Sequence, residues 1–137
     1  MRYRYIDHTS DLGVEIYGKD MEGLFRNGLF TIFDNILDLN TVELRETKEI
    51  SISSATTEEL LFDWFRELLF LFGTKYFVAK QVKEIKIDNN KLHAIIAGET
   101  FNPKRHRIKI EIKTPTYHMF KIEKIDTGYK ATVIFDV

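Results

Sequence analysis

A short polar segment near the N-terminus combines an imidazole, two hydroxyls and a carboxylate. It runs from His8 to Gly13, with the sequence HTSDLG, and stands directly before an alternating apolar segment. Short polar side chains in such a turn usually hydrogen-bond their own backbone, which is one interpretation. The other is that Asp11 is a metal ligand. A nucleophilic triad of Ser10, His8 and Asp7 is disfavoured, because such close neighbours cannot easily aim at one another.

The last two residues bring a second pair of anionic groups together. The side chain of Asp136 adjoins the terminal carboxylate of Val137, and oxygen pairs of this kind suit hard cations such as Ca²⁺ or Mg²⁺. A solvated, fraying terminus is the alternative. The strand pattern continues to the last residue, which is unusual for a fraying end and favours a site.

A third polar segment, residues 113–118 with the sequence KTPTYH, lies late in the chain. Lys113, Tyr117 and His118 could meet a phosphate or a partner protein, and ordinary side chains of an edge strand explain them equally well. Pro115 interrupts the alternating pattern, so we expect either a bulge or the joint between two strands here.

Composition restricts the partners and the chemistry. A formal net charge of −1 argues against strong nonspecific binding of nucleic acid. The basic run at 103–107 could touch RNA phosphates, but no aromatic side chains interleave it, which favours a solvated loop. The chain has no cysteine, hence no disulfide, thiolate zinc site or cysteine nucleophile. The usual dinucleotide, phosphate-loop, zinc-protease and serine-hydrolase motifs are absent.

No membrane partner is expected, and a cytoplasmic location is the default. The N-terminus lacks the apolar region of a signal peptide. The most apolar segment, residues 60–72, is interrupted by charged side chains, whereas a membrane span needs about 20 apolar residues.

Hydrophobic periodicity predicts two helices in the first half and strands in the second. Asp20 caps a helix over 21–37, with Gly28 on its apolar face, where a missing side chain would permit close packing. A capping box of Thr56 and Glu59 starts a second helix near Thr57. Strands are predicted at 14–17, 42–53, 82–87, 92–101, 108–112, 119–125 and 129–137.

These elements define an α+β fold, with two helices packed on a largely antiparallel sheet in a single domain over residues 1–137. The length suits one domain, since domains cluster at about 100–150 residues, and 44% hydrophobic residues suffice for a core. A parallel, doubly wound sheet would need helices between the later strands, and the pattern contains none there.

Taken together, these segments resemble the archease family. The N-terminal segment is similar to the family's His-Thr-Ala-Asp-x-Gly, and the late segment to its Lys-Ala-x-Thr-Tyr-His. The ending Asp136-Val137 is similar to its usual Asp-Ile or Asp-Val. Ser10 and Thr114 stand where the family has alanine, and both departures leave the candidate ligands intact. The resemblance extends over essentially the whole chain, including both helices.

The resemblance implies an accessory protein that is not itself an enzyme. Archeases activate RtcB-type RNA ligases, which use GTP and Mn²⁺ to join RNA ends, chiefly in tRNA splicing. They promote guanylylation of the ligase and its multiple turnover, so tRNA and GTP are linked to the protein only through the ligase. The implied cofactor is a divalent cation, Ca²⁺ first, with Mg²⁺ or Mn²⁺ as alternatives.

The family's metal site maps onto Asp11, Asp136 and Val137. Its partner-facing residues map onto Lys113, His8, Tyr117 and His118. Two alternatives remain open. One is a small metal-dependent phosphohydrolase using the two aspartates and His118, which lacks a recognisable general base beside the acidic pair. The other is a broader chaperone or modulator of RNA-modifying enzymes, for which the acidic tip would be dispensable.

Overall fold

Two helices and seven strands make up the part of the chain that the computed structural model describes, residues 1–7 and 10–137. In chain order they are β1 (Tyr3–Ile6), β2 (Leu12–Gly18), α1 (Met21–Ile36), β3 (Glu46–Ser53), α2 (Thr57–Lys75), β4 (Phe77–Asp88), β5 (Lys91–Thr100), β6 (Thr114–Ile125) and β7 (Gly128–Asp136). A short 3-10 turn at Leu39–Thr41 follows α1.

The strands form two antiparallel sheets, a four-stranded sheet in the order β1-β2-β7-β6 and a three-stranded sheet in the order β3-β5-β4. Each helix contacts both sheets, α1 through β2 and β4 and α2 chiefly through β6 and β4. The helices therefore share one apolar core with both sheets. The predicted α+β class is confirmed, with the antiparallel strands divided between two sheets.

Both predicted helix starts are confirmed by their capping bonds. The Asp20 carboxylate accepts the Gly23 N–H at 2.7 Å, and the Thr56 hydroxyl accepts the Glu59 N–H at 3.1 Å. Such bonds satisfy main-chain donors that lack partners in the first turn of a helix. The close packing predicted at Gly28 is also present, since a Cβ there would lie 2.7 Å from Cε1 of Phe65 on α2.

The strand predicted at 108–112 is wrong. This segment follows an irregular path between β5 and β6, although its alternation of isoleucine and charged residues is typical of a strand. Its main chain is used elsewhere, because the Lys109 N–H donates to the Ile36 carbonyl at 2.6 Å, at the C-terminal end of α1. The segment therefore satisfies a helix carbonyl instead of a strand ladder.

β6 is one strand with a bulge. It continues across Pro115, which pairs with Phe135, and the register shift falls further along, between Thr116 and Lys121. Proline is tolerated here because β6 lies at the edge of its sheet. The sequence predicted either a bulge or the joint between two strands at Pro115. A bulge is present, but it lies after the proline.

β1 was not predicted, and it pairs with β2 at the other edge of the four-stranded sheet. In residues 1–7 and 10–137, neither helix is long and apolar enough to span a bilayer.

Candidate functional site

The sheet register brings Asp11 and Asp136 to one end of the four-stranded sheet. Leu12 of β2 pairs with Phe135 of β7, so the next positions outward on the two chain segments are Asp11 and Asp136. Asp11 is partly buried, whereas Asp136 and the following Val137 are exposed. We call these three residues the acidic edge.

Lys113 reaches the same place from the other side of β7. Thr114 of β6 pairs with Asp136, and the Lys113 N–H donates to the Asp136 carbonyl at 2.8 Å. Because β7 lies between β2 and β6, Asp136 has the Asp11 segment on one side and Lys113 on the other. The Lys113 side chain is exposed, and its main chain adjoins that of Asp136.

The carboxylates of the acidic edge are the kind of ligand that a hard cation prefers, but they are too few to complete its coordination shell. Carboxylate oxygens are the usual ligands of Ca²⁺, which takes about 6–8 oxygen donors. Within residues 1–7 and 10–137, no three His, Cys, Asp or Glu side chains are grouped closely enough to hold a metal ion. Two side-chain carboxylates would therefore need oxygens of Val137, of water or of a partner to complete a shell. His8 lies outside the described residues.

Tyr117 and His118 lie on the bulge of β6, inward from the acidic edge. Thr116, just before them, pairs with Ile134, two positions from Asp136. The Tyr117 ring stacks on Phe62 of α2 with centroids 3.9 Å apart and planes 6° from parallel. His118 is exposed. These residues thus form a separate surface beside the acidic edge.

The Tyr117 hydroxyl donates to Oε2 of Glu59 at 3.2 Å. Desolvation, followed by this hydrogen bond, raises the pKa of Tyr117. The hydroxyl therefore stays protonated at neutral pH and acts as a donor to α2.

A buried polar cluster escaped the sequence analysis. Arg105 Nη2 lies 2.5 Å from Oε1 of Glu99, and His106 Nε2 lies 3.1 Å from both Oε2 of Glu99 and the Thr41 carbonyl. The hydrogen bond from Arg105, against the opposing effect of burial, lowers the pKa of Glu99 to about 2. The sequence did contain a signal for this cluster, because Glu99 lies within an apolar segment and close to the basic run at 103–107.

This cluster changes the interpretation of the basic run at 103–107. His106 is buried, and its Nδ1 accepts the Asn102 N–H at 2.9 Å. Because Nδ1 accepts this bond, Nε2 is the ring nitrogen that donates to the Glu99 and Thr41 oxygens. Arg105 and His106 hold the β5–β6 connection to the segment after α1, so they are not free for RNA phosphates.

The fold and the acidic edge define a small α+β protein whose polar residues converge at a sheet end. The model of the Archease protein family (MTH1598/TM1083) matches residues 3–137. The chain is 34% identical over 140 residues to the protein archease of Archaeoglobus fulgidus, covering 100% of both chains. It is 33% identical over 141 residues to the protein archease of Pyrococcus abyssi, covering 99% of each. The protein belongs to the archease family, as its motifs predict.

Solved structures agree with this assignment. The solution structure of Methanobacterium thermoautotrophicum protein 1598 superposes with a TM-score of 0.82 at 33% identity, over 99% of each chain. The crystal structure of an archease from Thermotoga maritima, described as a possible chaperone, gives 0.65 at 26% identity, over 98% of this chain and 96% of that one. Family membership supports an accessory or chaperone-like role.

Proposed function

We propose that this protein activates an RtcB-type RNA ligase, by promoting the ligase's guanylylation and multiple turnover, and does not itself join RNA. One observation supports the proposal. Asp11, Lys113 and Asp136, which the family resemblance assigns to its site, meet at one end of one sheet although they are far apart in sequence. Charged residues that served only the fold would have no reason to lie together at an exposed end of the sheet.

The acidic edge would hold the divalent cation, with Asp11 and Asp136 as side-chain ligands and Val137 as a third oxygen source. Neighbouring carboxylates repel one another, and a cation relieves that repulsion. When bound, the cation supplies positive charge at the point where the protein would face the ligase. Ca²⁺ is our first choice, because it accepts carboxylate and main-chain carbonyl oxygens with flexible geometry, and Mg²⁺ or Mn²⁺ are alternatives.

Lys113 would contribute a second positive charge beside the edge. Its compact ammonium group on a flexible stem suits a ligase carboxylate or the phosphates of a bound nucleotide. In this arrangement the edge abuts the active site of the ligase and helps it return to a state that accepts GTP. Contact with tRNA and GTP is then made through the ligase.

Multiple-turnover ligation by the cognate RtcB-type ligase tests the proposal. The ligase is supplied with GTP, Mn²⁺ and excess RNA ends, with and without substoichiometric amounts of this protein. We expect a ligase that stalls after the first round to cycle when the protein is added, and the protein alone to ligate nothing. Unchanged guanylylation and unchanged turnover would contradict the proposal.

A broader chaperone-like role is the second candidate, and the description of the Thermotoga maritima relative as a possible chaperone favours it. This role would make the acidic edge dispensable and would extend to several client enzymes. Variants of Asp11 and Asp136 that lose ligase activation while other clients are unaffected would favour the specific role.

A further inference from the structure

The bulge in β6 is larger than a single inserted residue. Thr116 pairs with Ile134 and Lys121 pairs with Thr132, so four residues of β6, 117–120, lie opposite Val133 alone. Met119 within it has φ of 59°, a left-handed conformation that is uncommon for a residue with a side chain. Bulges of this kind re-aim side chains away from the regular pleat. We call residues 117–120 the β6 bulge.

The first turns of α2 hold the β6 bulge in place. Phe62 stacks on the Tyr117 ring and meets the Phe120 ring edge-on, with centroids 5.3 Å apart. Glu59 accepts the Tyr117 hydroxyl, and Glu58 Oε2 accepts the Ile122 N–H at 2.9 Å, just past the bulge. Two ring contacts and two hydrogen bonds thus fix the bulge from one helix, so its conformation exists before any partner binds.

The β6 bulge displays large side chains to solvent. Tyr117 is 60% exposed and Met119 is 54% exposed. Phe120 of the same bulge is partly buried against the core, whereas Tyr117 stays largely exposed although its ring stacks on Phe62. Exposed apolar side chains beside a polar site are typical of protein-contact surfaces.

The charges around the β6 bulge favour a protein partner over nucleic acid. Glu58, Glu59 and Asp63 of α2 face the bulge or its Tyr117 ring. The neighbouring cations are Arg66 of α2 and Lys121, which is paired with Glu123. Carboxylates repel RNA phosphates, whereas proteins bind nucleic acid mainly by attracting its phosphates.

We infer that the β6 bulge is a preformed protein-binding element, whose Tyr117 and Met119 side chains contact an apolar patch on the ligase while the acidic edge faces its active site. The inference rests on the proposed function for the identity of the partner. A rigid aromatic ring with little conformational freedom to lose is well suited to anchoring such a contact.

The test is the affinity of the full chain for the cognate RtcB-type ligase, measured by isothermal titration calorimetry without RNA. Tyr117→Ala removes the displayed ring. Met119→Asn removes the thioether and keeps a residue that tolerates positive φ, so it preserves the backbone even if Tyr117→Ala disturbs folding. Tyr76→Ala is the matched control, since Tyr76 is 61% exposed and has φ of 56° at the end of α2.

We expect Kd to rise about tenfold or more for Tyr117→Ala and about threefold for Met119→Asn, with no change for Tyr76→Ala. Wild-type affinity in both bulge variants would overturn the inference. Unchanged ligase binding together with lost binding of free RNA would overturn it in favour of an RNA contact.

The turnover assay separates this inference from the proposed function. Wild-type protein that binds through the β6 bulge without stimulating turnover would contradict the proposed function and support the inference. Normal binding and normal turnover in both bulge variants would contradict the inference alone. Absence of any wild-type binding would overturn both.

Discussion

Asp136 lies between the Asp11 segment on β2's side of the sheet and Lys113 on β6's side, at an exposed sheet end. Exposed ion pairs contribute only about 0–1 kcal/mol to stability, because water and salt screen them. Lys113 and Asp136 are exposed, so the fold has little need of their charges, and substitution of these two residues should separate function from stability.

Lys113→Gln is expected to lower ligase activation severalfold and to change the free energy of unfolding by no more than about 0.5 kcal/mol. The ammonium charge is lost while the stem that covers the surface is largely kept. Chemical denaturation and the turnover assay measure the two effects. Lys91→Gln, at an exposed position of the other sheet, is the control, and equal activation by both variants would contradict the role given to Lys113.

Glu99 is expected to make stability fall in acid. The usual pKa of a glutamate is about 4.5, and Arg105 lowers the pKa of Glu99 to about 2 in the folded protein. The unfolded chain therefore takes up the proton first as pH falls. The stabilisation is complete above about pH 4.5 and is lost as pH decreases towards 2.

Glu99→Gln should reduce the free energy of unfolding at neutral pH by about 1.5–3 kcal/mol, the range for hydrogen bonds to charged groups. It should also flatten the decline between pH 4.5 and 2. Urea unfolding at several pH values measures both. Parallel curves for wild type and variant would show that Glu99 does not supply the acid dependence.

At the scale of elements, the helices could be predicted from the sequence and some strands could not. The caps at Asp20 and Thr56 are local patterns, so they appear in the sequence itself. β1 was missed because it has only four residues, although its alternating tyrosines favour a strand. The Tyr3 and Tyr5 hydroxyls bond to Asp34 and Asn35 of α1, which the sequence does not reveal. The 108–112 segment was misassigned because its main-chain partner lies on α1.

The residues of the candidate site are a prediction from short motifs, and their arrangement could not be predicted from the sequence. Asp11, Lys113 and Asp136 came from short motifs, whereas their convergence depends on the register of β2 and β6 with β7, which is a long-range property. Pro115 signalled an irregularity in β6, but the position of the bulge follows from Tyr117 stacking on Phe62, far away in sequence.

The contact between α1 and α2 can be tested with two helical glycines. Alanine in place of glycine favours a helix by up to about 1 kcal/mol. A Cβ at Gly73 has no atom within 4 Å, while one at Gly28 would lie 2.7 Å from the Phe65 ring. Phe65 is buried and cannot easily move away.

We expect Gly73→Ala to be neutral or stabilising and Gly28→Ala to be less stable than it by about 1–3 kcal/mol, the usual cost of overpacking. Both substitutions favour the helix, Gly28→Ala at least as much because Gly28 lies mid-helix and Gly73 in the last turn of α2, so a lower stability of Gly28→Ala reports the clash. Thermal and urea unfolding measure it. Equal stabilities would mean that α1 and α2 are less tightly packed at Gly28 than the structure indicates.

At the scale of the whole molecule, the two sheets and two helices act as one support for the acidic edge. β7 is an inner strand of its sheet, held by β2 on one side and β6 on the other. Asp136 is therefore fixed by two ladders although it is near the end of the sequence. The turn between β6 and β7, which contains Asp126, lies at the opposite end of the same sheet.

Because Asp126 and the acidic edge lie at opposite ends of the sheet, their substitutions provide the most direct test of the central claim, that the acidic edge activates the ligase. Asp11→Asn/Asp136→Asn removes two charges with little change in shape, and Asp126→Asn removes one at the other end of the sheet. Each variant is first shown to be folded by circular dichroism. The measurement is multiple-turnover ligation with substoichiometric protein, GTP and Mn²⁺. We predict that wild type and Asp126→Asn make the ligase cycle and that the double variant leaves it stalled; a double variant that activates as well as wild type would contradict the account.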